Sequence, residues 1–123
     1  MHHPNMLLFR AARRASCAIF FTALLGAQFA LGAPAEDLKG LVEKGRHAEA
    51  WEFAQKNLDA LGDPNFDYYY GLAAIETGNL GEAIIALERC IIRFPDAARV
   101  RLDLARAYFL NQENTRAQTE FEN

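Results

Sequence analysis

The chain has 123 residues, enough for one small domain, and a formal net charge of −3. Arg10, Arg13 and Arg14 are its only formal charges before Glu36. Without them, ten basic side chains face sixteen acidic ones, a net of −6 that argues against nucleic acid as the main partner. Two cysteines, Cys17 and Cys90, exclude a disulfide scaffold and a zinc ribbon.

The first element in the chain is an address. The three arginines precede an apolar run at residues 15–25, ASCAIFFTALL, of the length a secretory signal needs. Ala33-Pro34-Ala35 offers a small-x-small cleavage site before Glu36. Cleavage after Ala30 is a second position, and Met6 is an alternative start to Met1. Residues 1–35 are therefore read as a signal peptide. An uncleaved anchor competes, because the uncharged run over 15–35 is just long enough to span a bilayer. Gly26, Gln28, Gly32 and Pro34 break its second half. The Arg13-Arg14 pair lacks the aromatic and leucine expected of a twin-arginine signal. Cys17 follows Arg-Ala-Ser instead of the apolar stretch, which argues against lipidation. The reading is export, to a periplasmic or outer-membrane-associated location in a Gram-negative-type bacterium. Cys90 is then a lone cysteine in an oxidising compartment.

Helical signals fill residues 36–123. A short helix is predicted over 36–44, weakened by Gly40 and closed by Gly45. A second spans 47–61 with Ala50, Ala54, Leu58 and Leu61 on one face, and Gly62-Asp63-Pro64 ends it. A third covers 66–77, with Gly78 where a left-handed C-terminal cap belongs. Asn79, with Glu82 three residues on, has the spacing of a capping box for the fourth. That helix carries the stripe Ala83, Ile84, Leu87, Cys90, Ile91 and Phe94, and Pro95 stops it. Asp96 is placed to cap a fifth, running to about Leu110 with the stripe Val100, Leu104, Ala107 and Tyr108. After a polar break at 111–114 a sixth begins at Thr115. No stretch alternates as a strand does, so the chain reads as all-α.

The segments repeat. Ala50, Ala83 and Ala117 are spaced by 33 and 34 residues. Gly45 and Gly78 share the 33-residue offset, with Gln112 in the third copy, and Ala54, Leu87 and Phe121 follow each alanine by four. Two helices in a period of about 34 are the signature of a helical-hairpin solenoid. The copies run over about 36–63, 64–97 and 98–123, the last incomplete. Small residues at Gly71, Ala83 and Ala105 let helices approach, and Leu87, Tyr108 and Phe121 fill the space between hairpins. Three unrelated amphipathic hairpins would not share period, turn and proline together.

In these residues the chain resembles the tetratricopeptide repeat family. The second copy carries the pattern best, with Tyr70-Gly71, Gly78, Ala83, Leu87, Cys90 and Pro95. It departs at Asp67, where the family usually has tryptophan, and at Ala74, where it has tyrosine. The third copy carries Leu104-Ala105, Tyr108, Ala117 and Phe121, and the first is degenerate in its first helix. FDYYYGLAAIETGNLGEAIIALERCI followed by ARVRLDLARAYF is further similar to the periplasmic repeat region of surface lipoprotein assembly modifier-like outer-membrane proteins. In that family such repeats precede a membrane β-barrel that helps deliver lipoproteins to the cell surface. The resemblance implies that this chain is the front of such a protein, with its own downstream domain as one partner.

Catalytic patterns are missing: there is no phosphate-binding glycine loop, no HExxH and no CxxCH. His47 reads as a solvated turn residue, Cys90 as a buried inert thiol, and the scattered Glu/Arg pairs as solvated helix faces. The expectation is a non-enzyme without cofactor or metal, which touches a membrane only through its signal segment or a further domain. The tetratricopeptide resemblance implies that a protein or peptide segment binds the concave face, lined by the first helix of each hairpin. In this register the face takes Asn65, Tyr68, Leu72, Ile75 and Glu76 from copy two, and Arg99, Leu102, Arg106, Phe109 and Leu110 from copy three. The positions that relatives use to clamp a C-terminal carboxylate hold Tyr68, Leu72, Leu102 and Arg106, which argues against that clamp. A purely structural brace for a downstream barrel is the alternative. The sequence also leaves the apolar side of Tyr108, Ala117 and Phe121 uncovered, which implies marginal stability or self-association.

Overall fold

Among the described residues, proline and small-residue punctuation sets off six α-helices: α1 (Pro34–Glu43), α2 (His47–Gln55), α3 (Pro64–Glu76), α4 (Leu80–Arg93), α5 (Ala98–Leu110) and α6 (Asn114–Glu122). A single 3-10 turn, Leu58–Ala60, lies between α2 and α3. The structure is a computed structural model and describes residues 33–123, among which there is no strand. The signal-peptide reading covers residues 1–35 and its competitors overlap the same stretch; residues 1–32 lie outside the described residues, while Pro34 and Ala35 of the expected cleavage site open α1. No described helix is long and apolar enough to cross a membrane.

The repeat is visible first in the backbone. Each copy's first helix ends in the same double hydrogen bond. Gly45 N–H reaches Val42 O and Arg46 N–H reaches Leu41 O. Gly78 pairs in the same way with Ile75 and Asn79 with Ala74, and Gln112 pairs with Phe109 and Glu113 with Tyr108. Closing the turn this way needs a left-handed residue, and φ is +73° at Gly45, +79° at Gly78 and +62° at Gln112. Gln112, the third-copy counterpart of the two glycines, therefore adopts a conformation that costs an L-residue roughly 1–2 kcal/mol. The carbonyls of Arg46, Asn79 and Glu113 then accept the first bond of the next helix from Ala50, Ala83 and Ala117. Those three alanines are buried where the two helices of each hairpin meet.

Three local expectations need correction, and one cap was not anticipated. Asn79 begins α4 without a side-chain cap, because its Nδ2 donates to Thr77 Oγ1 at 2.8 Å; the box with Glu82 does not form. Asp96 does not cap α5, whose N-cap is Ala97. Asp63 does cap α3, accepting from Asn65 N–H at 2.8 Å and Phe66 N–H at 3.1 Å, with Pro64 in the first turn. The helix expected over 47–61 stops at Gln55, where Asn57 Nδ2 bonds back to Phe53 O and competes with the ladder. Leu58 is consequently exposed, while Ala50 and Ala54 are buried.

Consecutive helices pack on each other, and α1 packs on α3 as α3 does on α5. Two apolar clusters result. The first joins Leu38, Ala50, Ala54, Phe66, Tyr70, Ala73 and Ala86, and the second joins Ala74, Ile75, Ala83, Ile84, Leu87, Leu104, Ala107, Tyr108 and Ala117. Trp51 packs against both. Gly71 marks the closest approach: a Cβ built there would sit 2.8 Å from Leu87 Cγ, so α3 and α4 meet at this height only through a glycine. Tyr108 and Ala117, expected to be open, are 3% and 2% exposed because α6 folds back onto α5; Phe121 alone of the three is open, at 58%.

Candidate interaction face

The first helices of copies two and three, α3 and α5, are tied by polar side chains. The Tyr68 hydroxyl donates to Asp103 Oδ2 at 2.8 Å, and Arg99 Nε lies 3.8 Å from the same oxygen. Burial, with Asp103 beside it, raises the Tyr68 pKa above the ordinary tyrosine range. One turn or more further along, Arg106 Nη2 donates to Glu76 Oε1 at 2.5 Å. Tyr68 and Arg106 are thus held in fixed positions across two helices, and half-buried Leu72 lies on α3 between Tyr68 and Glu76.

The expected residues do not all gather here. Ile75 is only 4% exposed and sits in the second apolar cluster, so it is withdrawn from any surface. Leu102 lines a cleft at the α5–α6 end together with Phe121, and Phe109 lies two turns along α5 on the same side as Leu102. The face between α3 and α5 keeps Tyr68, Leu72, Arg99 and Arg106, bordered by Asn65 and Glu76. Arg99 is its most open charge, with 81% of its side chain exposed. Asp103 and the partnership of Glu76 with Arg106 were not anticipated. The available signals were the i, i+4 spacing of Arg99 to Asp103 and the near-repeat offset between Tyr68 and Asp103.

Two other polar groups also escaped the sequence reading. Asp67, at the position where the family usually has tryptophan, is 2% exposed. It accepts from Arg89 Nε at 3.0 Å, Arg89 Nη2 at 2.9 Å and Gly62 N–H at 3.1 Å. Arg89 and Asp67 are therefore not a solvated surface pair. His47 is half-buried, and its Nδ1 is shut off from solvent without a hydrogen-bond partner, so it is not the solvated turn residue expected. Cys90 is buried as expected, with Sγ 3.6 Å from Pro64 O.

Residues 74–123, from the end of α3 through α6, match a family model described as tetratricopeptide repeat. The match supports a tetratricopeptide-type repeat over those residues. No curated protein and no solved structure gives a match to the chain. The matched stretch holds the second and third of the three glycine-type turns. The first, at Gly45, has the same turn geometry outside it. The all-helical architecture agrees with such a repeat, and tetratricopeptide repeats are typically non-catalytic modules that bind proteins or peptides.

Proposed function

We propose that this chain is a protein-binding scaffold of the bacterial envelope, exported by its N-terminal leader, which holds a partner segment across the α3–α5 face. The observation that carries the reading is the pair of cross-helix ties, Tyr68 to Asp103 and Glu76 to Arg106. They fix the donors and acceptors of the face in advance, which lowers the ordering cost of binding. Arg99, mostly exposed, suits a carboxylate on the partner, and Leu72 suits an apolar side chain beside it. The envelope location rests on the arginines and the apolar run before Glu36.

The test is capture of envelope proteins by the tagged chain. Arg106→Glu combined with Tyr68→Ala should abolish capture while the helical circular dichroism is kept. Capture that survives both changes would remove the α3–α5 face from consideration. A second reading, a brace for a downstream β-barrel in surface lipoprotein delivery, draws on the resemblance of residues 66–91 and 98–109 to surface lipoprotein assembly modifier-like proteins. Gene sequence after Asn123 that encodes alternating amphipathic strands would favour the brace, and further 34-residue copies would favour the free scaffold.

A further inference from the structure

Two isoleucines on the outside of α4 stand where the repeat does not ask for apolar side chains. Ile85 is 57% exposed, and Ile92, at 81%, is the most open large apolar residue among those described. Their counterparts in the first copy are Glu52 and Asp59, and Thr119 matches Ile85 in the third; all three are polar and exposed. α4 meets α3 and α5 through its other side, where Ala83, Ile84, Ala86, Leu87 and Cys90 are buried. The isoleucines are therefore a property of this one copy and not of the repeat's packing.

The same side carries charge. Glu82, Ile85, Arg89, Ile92 and Arg93 fall within about 100° of the helix circumference. Arg93 is exposed and has no carboxylate partner among the described residues, whereas Arg46, Arg89, Arg99, Arg101, Arg106 and Arg116, the other arginines described, each have one. Arg89 gives its Nε and Nη2 to Asp67. Glu82, exposed at the other end, has no basic partner among the described residues. The turn at residues 61–64 walls two shallow clefts along this stripe, both bordered by Arg89. One, of about 350 Å³, lies between Ile92, Arg93, Gly62 and Pro64, and the other, of about 180 Å³, between Glu82, Ile85 and Leu61.

Charge order selects the occupant. Helices favour acids in their first turn and bases in their last, and α4 obeys with Glu82 and Arg93. A second helix of the same habit meets both ends favourably only when it runs the opposite way. We propose that this side of α4 seats an amphipathic helix of a partner protein, antiparallel to α4, its acidic first turn over Arg93 and its basic last turn over Glu82. Two aliphatic side chains two turns apart enter the clefts beside Ile92 and Ile85. A second copy of α4 would match Glu82 with Arg93 but would set Arg89 against Arg89 at the centre. An anionic lipid surface would attract Arg93 and repel Glu82. The stripe is about 16 Å long, and two aliphatic anchors give a weak complex, with a dissociation constant on the order of 0.1 mM. It is separate from the α3–α5 face, so either site can fail alone.

Fluorescence anisotropy with the whole chain and labelled helical peptides of about 15 residues tests the assignment. One peptide has Glu in its first turn, Leu at two positions two turns apart and Lys in its last turn; a second has the charges exchanged. The first should bind about tenfold more tightly than the second. Ile92→Asp and Arg93→Glu, both at exposed positions, should each weaken it by about tenfold with unchanged circular dichroism. Glu82→Arg combined with Arg93→Glu should reverse the preference between the peptides. Tyr68→Ala with Arg106→Glu, on the α3–α5 face, should leave it in place. Equal binding of the two peptides, binding indifferent to Ile92→Asp, or no binding up to about 1 mM would overturn the proposal. So would self-association, or binding to anionic lipid vesicles, that Ile92→Asp abolishes, since the stripe would then belong to a second copy or to a membrane.

Discussion

The two junctions between repeats occupy equivalent places and are built differently. The first is aromatic: Phe66 and Tyr70 of α3, with Trp51 5.1 Å from the Tyr70 ring, fill a space walled by Ala50, Ala54, Ala73 and Ala86. On the α3–α4 hairpin behind it, Arg89 meets a carboxylate that water does not reach. The second is aliphatic, with Ile75, Ile84, Leu87 and Leu104 at its centre. Its polar seal is open to solvent: Glu88 accepts from the Tyr108 hydroxyl and from Arg116, whose guanidinium lies 4.3 Å from the Tyr108 ring centre. One register accepts either solution because total volume and polar satisfaction are what it demands. The cost of losing the polar part depends on whether water can replace it.

That difference sets the order of expected effects. Arg89→Ala leaves Asp67 buried with only the Gly62 N–H and should cost about 3 kcal/mol of unfolding free energy. Glu88→Ala, in the half-exposed network, should cost about 1 kcal/mol. Urea unfolding of the two variants measures both, and equal losses would mean that burial of the carboxylate does not set the cost.

The turns give a smaller effect of opposite sign. Gly45, Gly78 and Gln112 share one backbone conformation, and only the third has a side chain to strain. Gln112→Gly should stabilise the chain by about 0.5–1 kcal/mol, whereas Gly78→Gln should destabilise it by a similar amount. Both shifts are readable in the denaturation midpoint.

Cys90, at the α3–α4 contact, supplies the pH-dependent prediction. Burial first, then the charge of Asp67, pushes its thiol up to about 11. A pKa raised in the folded state stabilises the fold below the unfolded value and ceases to do so as pH climbs through the folded one. Stability should accordingly be insensitive to this group at neutral pH and decline between about pH 8.5 and 11, and Cys90→Ala should flatten part of that decline. The raised Tyr68 and Tyr108 hydroxyls act in the same direction at still higher pH. Native-state labelling by a thiol reagent at pH 8 should be slow and should become rapid only in denaturant. Rapid native labelling would place the thiol outside the core.

The fold was legible because repetition multiplies each signal. A glycine, an alanine five residues on and a larger side chain after that identify a helical hairpin when they recur at a fixed period. They do so even where one member is replaced, as Gln112 replaces glycine. Capping was less legible. Asn79, Asp96 and Asp63 all have side chains able to cap, and which one does so depends on whether a nearer partner, such as the Thr77 hydroxyl, takes the amide first. The placement of Tyr68, Leu72, Arg99 and Arg106 along α3 and α5 was legible from the register. The burial of Ile75 was not, because one register position is open or closed according to what lies over it.

The sequence by itself determined the elements: the six helices of the described residues, the two-helix unit, its period, and the small residues that let helices touch. These follow from local backbone preference and from side-chain volume, both of which are written residue by residue. Only the tertiary structure decided which carboxylate needed a partner, which arginine supplied it across 22 positions, and which copy's aromatic residues were left in water. Those outcomes depend on solvent exclusion, a property of a position's surroundings, so Ile75 and Phe109 can share a register and still have opposite environments.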